Sequence, residues 1–302
     1  MKISISTGYL EHRYGTREMF RMMKAAGIDY ADYGLERWCR DVEAVRASNG
    51  YRMSVEETIA HYTEIRRIAD EEGITIYQTH AIFGEFDACD CPEYLEATVK
   101  NIIATNILGA RYTVIHPVRT PNRIYDNEKE FCFDYNVKLF RTVLPYLKQY
   151  NIKIGVEPMW RHDENRIIRP SVCARPEEIL EFIDVMGDEY FCACFDYGHV
   201  GITCKDTGDT VGGAIRKLGK TMEIVHIHEV DSTGLNDNHD APYTYPNSMD
   251  WDDIRAAMQE IGYAGTVNFE VGPAYYAKYP DRLMPEALRH LAAIGRDLSP
   301  EA

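Results

Sequence analysis

SVEETIAHYTEIRRIADEEGITIYQTH, residues 54–80, carries one complete unit of the pattern that runs through this chain. Ser54 stands three residues before Glu57, the spacing at which a hydroxyl and a carboxylate cap the first free N–H groups of a helix. Helical character continues to Gly73, a residue suited to the left-handed turn that closes a helix. The next residues, ITIYQTH, form a short β-branched run that ends on an imidazole. Similar apolar or β-branched runs occupy 2–7, 28–35, 74–82, 111–116, 152–158, 191–197, 223–230 and 266–272. Helical segments lie between them. Pro92 and Pro176 each start one, and Gly27, Gly109, Gly187, Gly219 and Gly262 each end one. Eight strand–helix repeats without a linker predict an α/β chain folded as a single (β/α)8 TIM barrel, one domain over residues 1–302. An open doubly wound sheet for nucleotides would begin with a glycine-rich first turn, which SISTGYLEHRYG (4–15) does not supply.

Composition narrows the function classes. The chain is 45% hydrophobic and 27% charged, so it can bury a core without disulfides or a structural metal. Its net charge of −15 and lack of a Lys/Arg cluster argue against nucleic acid as a partner, because phosphate binding needs a positive surface. No run approaches the roughly 18 apolar residues of a membrane span, and MKISISTGYLEHRYG does not read as a secretory leader. Eight cysteines in such a chain are expected to be reduced thiols, with Cys192 and Cys194 in the core and the cytoplasm as compartment.

The chemistry is expected where the strands end. The third strand ends at His80, the fourth (YTVIHP) at His116 and the fifth (IGVEP) at Glu157. FCACFDYGH gives Asp196 and His199, VHIHE gives His226, His228 and Glu229, and VNFEV gives Glu270. A charge at the end of an apolar run is costly to bury unless it is paired or binds a metal. A lone strand-end carboxylate is ordinarily a helix cap or ion-pair partner, and a lone histidine a hydrogen-bonded residue. Six successive strand ends with these types instead point to one shared site, at the face where barrels carry their chemistry.

These residues resemble the xylose isomerase-like barrels, which include sugar isomerases, ketose 3-epimerases, inosose dehydratases and endonuclease IV. The likeness runs from the first strand to the eighth helix. GVEP, FDYGH, HxxE and FEV match the pattern in which Glu157, Asp196, His226 and Glu270 hold one divalent metal. NDNHDAPYTYPNSMDWDDIRAAMQEIGYAGTVNFEV (236–271) is similar to a family segment with D-x-H, a proline and a Trp-Asp pair opening a helix. Such an oxygen-rich site suits Mn2+ best, with Mg2+ or Co2+ as alternatives.

The resemblance implies an isomerase or epimerase acting on a ketose or related sugar through a metal-stabilised enediolate. Glu157 and Glu270 would be the acid/base pair, with Asp196 and His226 holding the metal only. His80, His116, His199, Trp160, Arg161, Asp163 and His239 would contact substrate. One departure is EVDSTGLND (229–237), where the ketose epimerases carry an arginine shortly beyond the metal histidine. Lyase or dehydratase action on a keto-sugar or inosose by the same enolisation is the alternative. A third reading is an endonuclease IV-like phosphodiesterase with Zn2+ on three sets: His80, His116 and Glu157; Glu157, Asp196, His226 and Glu270; and His199, Asp237 and His239. Asp237, His239 and His228 are thus candidates for an additional metal. A barrel that only binds is the last. No glycine-rich phosphate cradle follows the seventh or eighth strand, and GDTVGG (208–213) reads as a helix start, so an unphosphorylated sugar is favoured. A homo-oligomer is compatible with the exposed barrel helices. Trp160, Tyr125, Phe83, Phe86 and Tyr275 are the aromatics expected in or beside the C-terminal loops.

Overall fold

The computed structural model describes residues 2–84, 91–118, 129–231, 233 and 236–299; Phe86, Cys89 and Tyr125 lie outside them. The eight expected barrel strands are β1 (Ile3–Ser6), β2 (Tyr30–Gly34), β3 (Thr75–His80), β4 (Tyr112–Ile115), β5 (Lys153–Val156), β8 (Phe191–Asp196), β9 (Met222–His226) and β10 (Val267–Phe269). They pair in parallel in the order β10-β1-β2-β3-β4-β5-β8-β9. Just past β9, Ile227 bridges Phe269, with Ile227 N donating to Asn268 O and Glu270 N to Ile227 O. This bridge closes the ring into a (β/α)8 barrel.

Helices form where the sequence starts and stops them. Ser54 and Glu57 make the reciprocal cap of α5 (Val55–Glu72), and Gly73 closes it in the left-handed conformation. Prolines open α6 (Pro92–Leu108) and α8 (Pro176–Met186). The core lies between these helices and the sheet, where Phe140 of α7 (Lys129–Tyr150) packs edge-on against Phe182 of α8. Each such ring removes apolar area worth about 1.5–3 kcal/mol. Cys192 and Cys194 are buried in β8 as expected, and every described cysteine is a free thiol.

Two connections between strand and helix carry structure of their own. Residues 36–53 contain α3 (Val42–Ala47) and α4 (Asn49–Arg52), capped by Asp41 and Ser48. Residues 159–175 fold an antiparallel hairpin, β6 (Trp160–His162) against β7 (Ile168–Pro170). No helix among the described residues is long and apolar enough to cross a membrane.

Candidate metal centre

Glu157, Asp196, His226 and Glu270 each offer a ligand atom within 4.8 Å of one another. They follow or end β5, β8, β9 and β10, so the barrel's curvature brings the strand ends together. A register shift between Ala193 and Cys194 sets Asp196 level with His226 across the β8–β9 pair. His226 Nδ1 lies 3.3 Å from Glu157 Oε1 and 3.2 Å from Glu270 Oε2. Burial raises the cost of charge on Glu157, yet His116 and His226 outweigh it and hold its pKa well below the usual carboxylate range. Glu270 is likewise lowered against burial by His226 and His239. Burial opposes charge on His226 also, but Cys194, Glu270 and Glu157 push it well up.

Two polar atoms show what this centre accommodates. Asp196 Oδ2 and Glu157 Oε2 are buried without a well-directed hydrogen bond, although His116 Nε2 is 3.0 Å from the latter. Buried acceptors left in this state cost about 1–3 kcal/mol each. Acceptors converging on a common point fit a divalent cation, which removes both that cost and the carboxylate repulsion.

Beside this group lies a second one, His199, His228, Asp237 and His239, also within 4.8 Å of one another. His199 Nδ1 meets Pro158 O at 3.0 Å and His239 Nδ1 meets Glu270 O at 2.9 Å. Those contacts assign the hydrogen to Nδ1 and turn each Nε2 toward Asp237 Oδ2, at 3.1 and 3.3 Å. Burial would lower the pKa of His199, but Asp196 and Asp237 push it up to about 10. Asp237 also accepts from Trp160 Nε1 at 2.8 Å. His228 is fully buried, stacks on His239 at 3.8 Å and stands 3.0 Å from Asp196 Oδ1. Glycine at 198 makes room for it, since a Cβ there would fall 1.9 Å from His228 Cε1.

A cavity of about 670 Å³ opens above these groups. Glu157 and Glu270 line it, whereas Asp196 and His226 lie behind the wall. His80, His116, His199, Trp160, Asp237 and His239 line it too, as does Phe83. His80 and His116 face each other through their Nε2 atoms at 3.0 Å.

Asp163 and Arg161, expected to contact substrate, are not among the lining residues. Asp163 instead accepts from Asn165 N and Ile167 N, both at 2.9 Å, and pairs with Arg169, which makes it the turn anchor of the β6–β7 hairpin. Arg161 lies opposite Arg169 in that hairpin. Glu229 does not join the rim either. It accepts from Thr244 N, Tyr245 N, Ser248 Oγ and Trp251 Nε1, and so ties down the loop that presents Asp237 and His239. Tyr275 is an anchor as well, donating to Ala287 O.

Sequence reasoning missed Asp32. This buried carboxylate of β2 lines the cavity, and its Oδ2 stands 3.1 Å from His226 Nε2. Gln78, Asn268 and Ser6 donate to the same oxygen. The one available signal was a charged residue inside an apolar run, but Asp29 offers the same signal nearby.

The family model described as xylose isomerase-like TIM barrel matches residues 20–294. No curated protein matches the chain in sequence. Among solved structures, a D-psicose 3-epimerase determined with D-fructose aligns at TM-score 0.71 and 16% identity, over 99% of both chains. An L-ribulose 3-epimerase aligns at 0.68 and 18% identity, over 99% of this chain and 95% of that one. The 3-keto-D-glucoside 4-epimerase of E. coli aligns at 0.63 and 15%, over 93% and 95%. At these identities the likeness is one of fold.

Proposed function

Because the chain belongs to the xylose isomerase-like TIM barrel family, we propose that it is a metal-dependent sugar isomerase or epimerase acting beside the carbonyl of a ketose or keto-sugar. One observation carries the reading: of the four clustered ligands, only the two glutamates, Glu157 and Glu270, reach the cavity wall. A divalent cation on Glu157, Asp196, His226 and Glu270, best Mn2+ for so mixed a carboxylate–imidazole set, supplies Lewis-acid polarisation of the substrate oxygens. Both glutamates are held as carboxylates, the form in which a base accepts a proton. One removes the proton from the carbon next to the carbonyl, leaving an enediolate. The other, once protonated, returns a proton to the opposite face. Glu270, whose side chain is 21% exposed, is the one placed to exchange that proton with solvent. The imidazoles of His80, His116, His199 and His239 orient the hydroxyls, and Trp160 backs them through Asp237. The fold relatives named above as 3- and 4-epimerases are in keeping with this chemistry. A lyase or dehydratase differs only in where the enediolate goes next.

Ketoses, inososes and oxidised glycosides offered with Mn2+ in D2O should show deuterium entering at the carbon beside the carbonyl, read by NMR. Glu157→Gln and Glu270→Gln should each slow this entry by at least about 100-fold with the circular dichroism unchanged. Exchange that survives both changes sinks the two-glutamate mechanism.

A second reading, phosphodiester hydrolysis on several metals, is favoured by the adjoining group of His199, His228, Asp237 and His239. Charge weighs against it, since the net is −15 and Arg37 is the one arginine or lysine among the described residues that line the cavity. Elemental analysis separates the two. One Mn, Mg or Co per chain supports the sugar enzyme, while three Zn with nicking of an abasic plasmid supports the nuclease.

A further inference from the structure

The cavity has two ends of different character. Its floor is the buried group of Glu157, His80 and Asp32, and its mouth is formed by Arg37 and Trp38 with Tyr9 and Phe83 on the walls. At about 670 Å³ it falls mid-way in the roughly 300–1,000 Å³ span of pockets that enclose drug-sized molecules, more than one sugar ring fills.

Trp38 is 48% exposed, yet the backbone that presents it is held on both sides. Before it, Glu36 accepts from Gly50 N, Asn49 N and Asn101 Nδ2. A side chain at Gly50 would collide with that carboxylate, its Cβ lying 2.8 Å from Glu36 Oε1. After it, buried Cys39 donates its N–H to Phe83 O at 2.8 Å and bridges Gly84. The walls are fixed too: Tyr9 stacks on Tyr276 at 5.6 Å and 11°, and Phe83 packs against His80 and His116. Arg37 forms no ion pair with a carboxylate among the described residues and meets His12 Nδ1 at 3.1 Å. An indole half in water on a pinned loop, beside an arginine that pairs with no carboxylate among the described residues, is the kind of surface that stacks an aromatic ring and holds its oxygen.

We propose that the mouth is an aglycone subsite, and that the substrate is a keto-glycoside of an aromatic alcohol whose ring lies against Trp38 while the sugar reaches the carboxylate floor. This rests on the sugar-enzyme reading and narrows its substrate class. The probes are phenyl β-D-3-ketoglucoside, methyl β-D-3-ketoglucoside and D-fructose, titrated calorimetrically into the Mn2+-loaded protein. The phenyl glycoside should bind about tenfold more tightly than the methyl one. Trp38→Ala should cut that ratio below about twofold, and Trp38→Phe should restore most of it. Equal affinities for the two glycosides overturn the proposal. So does a phenyl advantage that Trp38→Ala leaves intact, or binding of D-fructose without either glycoside; in these cases the sugar-enzyme reading stands. If none of the three probes binds, that reading falls and takes this one with it.

Discussion

His226 presents Nδ1 to Glu157 and Glu270, and its other ring nitrogen stands 3.1 Å from Asp32 Oδ2. An imidazole that gives one nitrogen to a metal needs the other directed by an acceptor, and such outer partners typically govern 10–100-fold of metal affinity. Asp32→Asn, nearly the same shape without the charge, should therefore weaken Mn2+ binding by about 10-fold or more in a direct titration. An unchanged dissociation constant would remove Asp32 from the centre. The sequence announced His226 because it stands at a strand end. Asp32 was hidden because β2 carries a register shift between Ala31 and Asp32, which sets Asp32 against Gln78, and no residue type signals that shift. Asp163 is a case of the opposite kind. Its place six residues after Glu157 suggested substrate, but a carboxylate two and four residues before free backbone N–H groups serves a turn equally well.

At the scale of elements, the loops that build the cavity were less legible than the strands that carry it. A cap such as Ser54–Glu57 is local, and so sequence alone reveals it. The connection from β2 to α5 depends instead on Glu36 meeting Gly50 and Asn101, 14 and 65 residues away. The loop after β9 depends on Glu229 and on His239, Tyr243 and Asn247 holding positive φ values of 48°, 68° and 59°, costs that only the folded surroundings repay. Glu36 yields a test with a defined sign. Burial raises its pKa above the ordinary 4.5, and its hydrogen bonds to Gly50, Asn101 and Asn49 do not fully offset this. A carboxyl raised in the folded state contributes stability that is present below its unfolded pKa and lost as pH rises through the folded value. The melting temperature of the protein, measured against that of Glu36→Gln from pH 4 to 8, should therefore fall as pH rises. A flat or rising difference would show that Glu36 is not buried at a cost.

For the molecule as a whole, the barrel was readable because eight short runs and their caps repeat a local pattern, and all eight appear as strands. The convergence was readable only as an inference from what ends those strands, since the distances belong to the closed ring. That ring gathers the carboxylates of Glu157, Asp196 and Glu270 at one point in a chain of net charge −15. Their mutual repulsion is part of the folded state and has no counterpart in the extended chain, so a cation that fits the centre must bind the folded form preferentially. Binding then stabilises by about 2.7 kcal/mol at a metal concentration 100 times the dissociation constant, and by about 1.4 kcal/mol for each further tenfold. With a shift of roughly 2 °C per kcal/mol for a chain of this size, protein stripped with EDTA should melt about 5 °C below protein in such an excess of Mn2+. The gap should widen with the logarithm of the metal concentration. Glu157→Gln should shrink it, because that residue contributes to the four-ligand group and faces His116 as well. Scanning calorimetry across a Mn2+ series measures all three effects. A melting temperature indifferent to EDTA and to Mn2+ would mean that these carboxylates hold their place through the histidines alone.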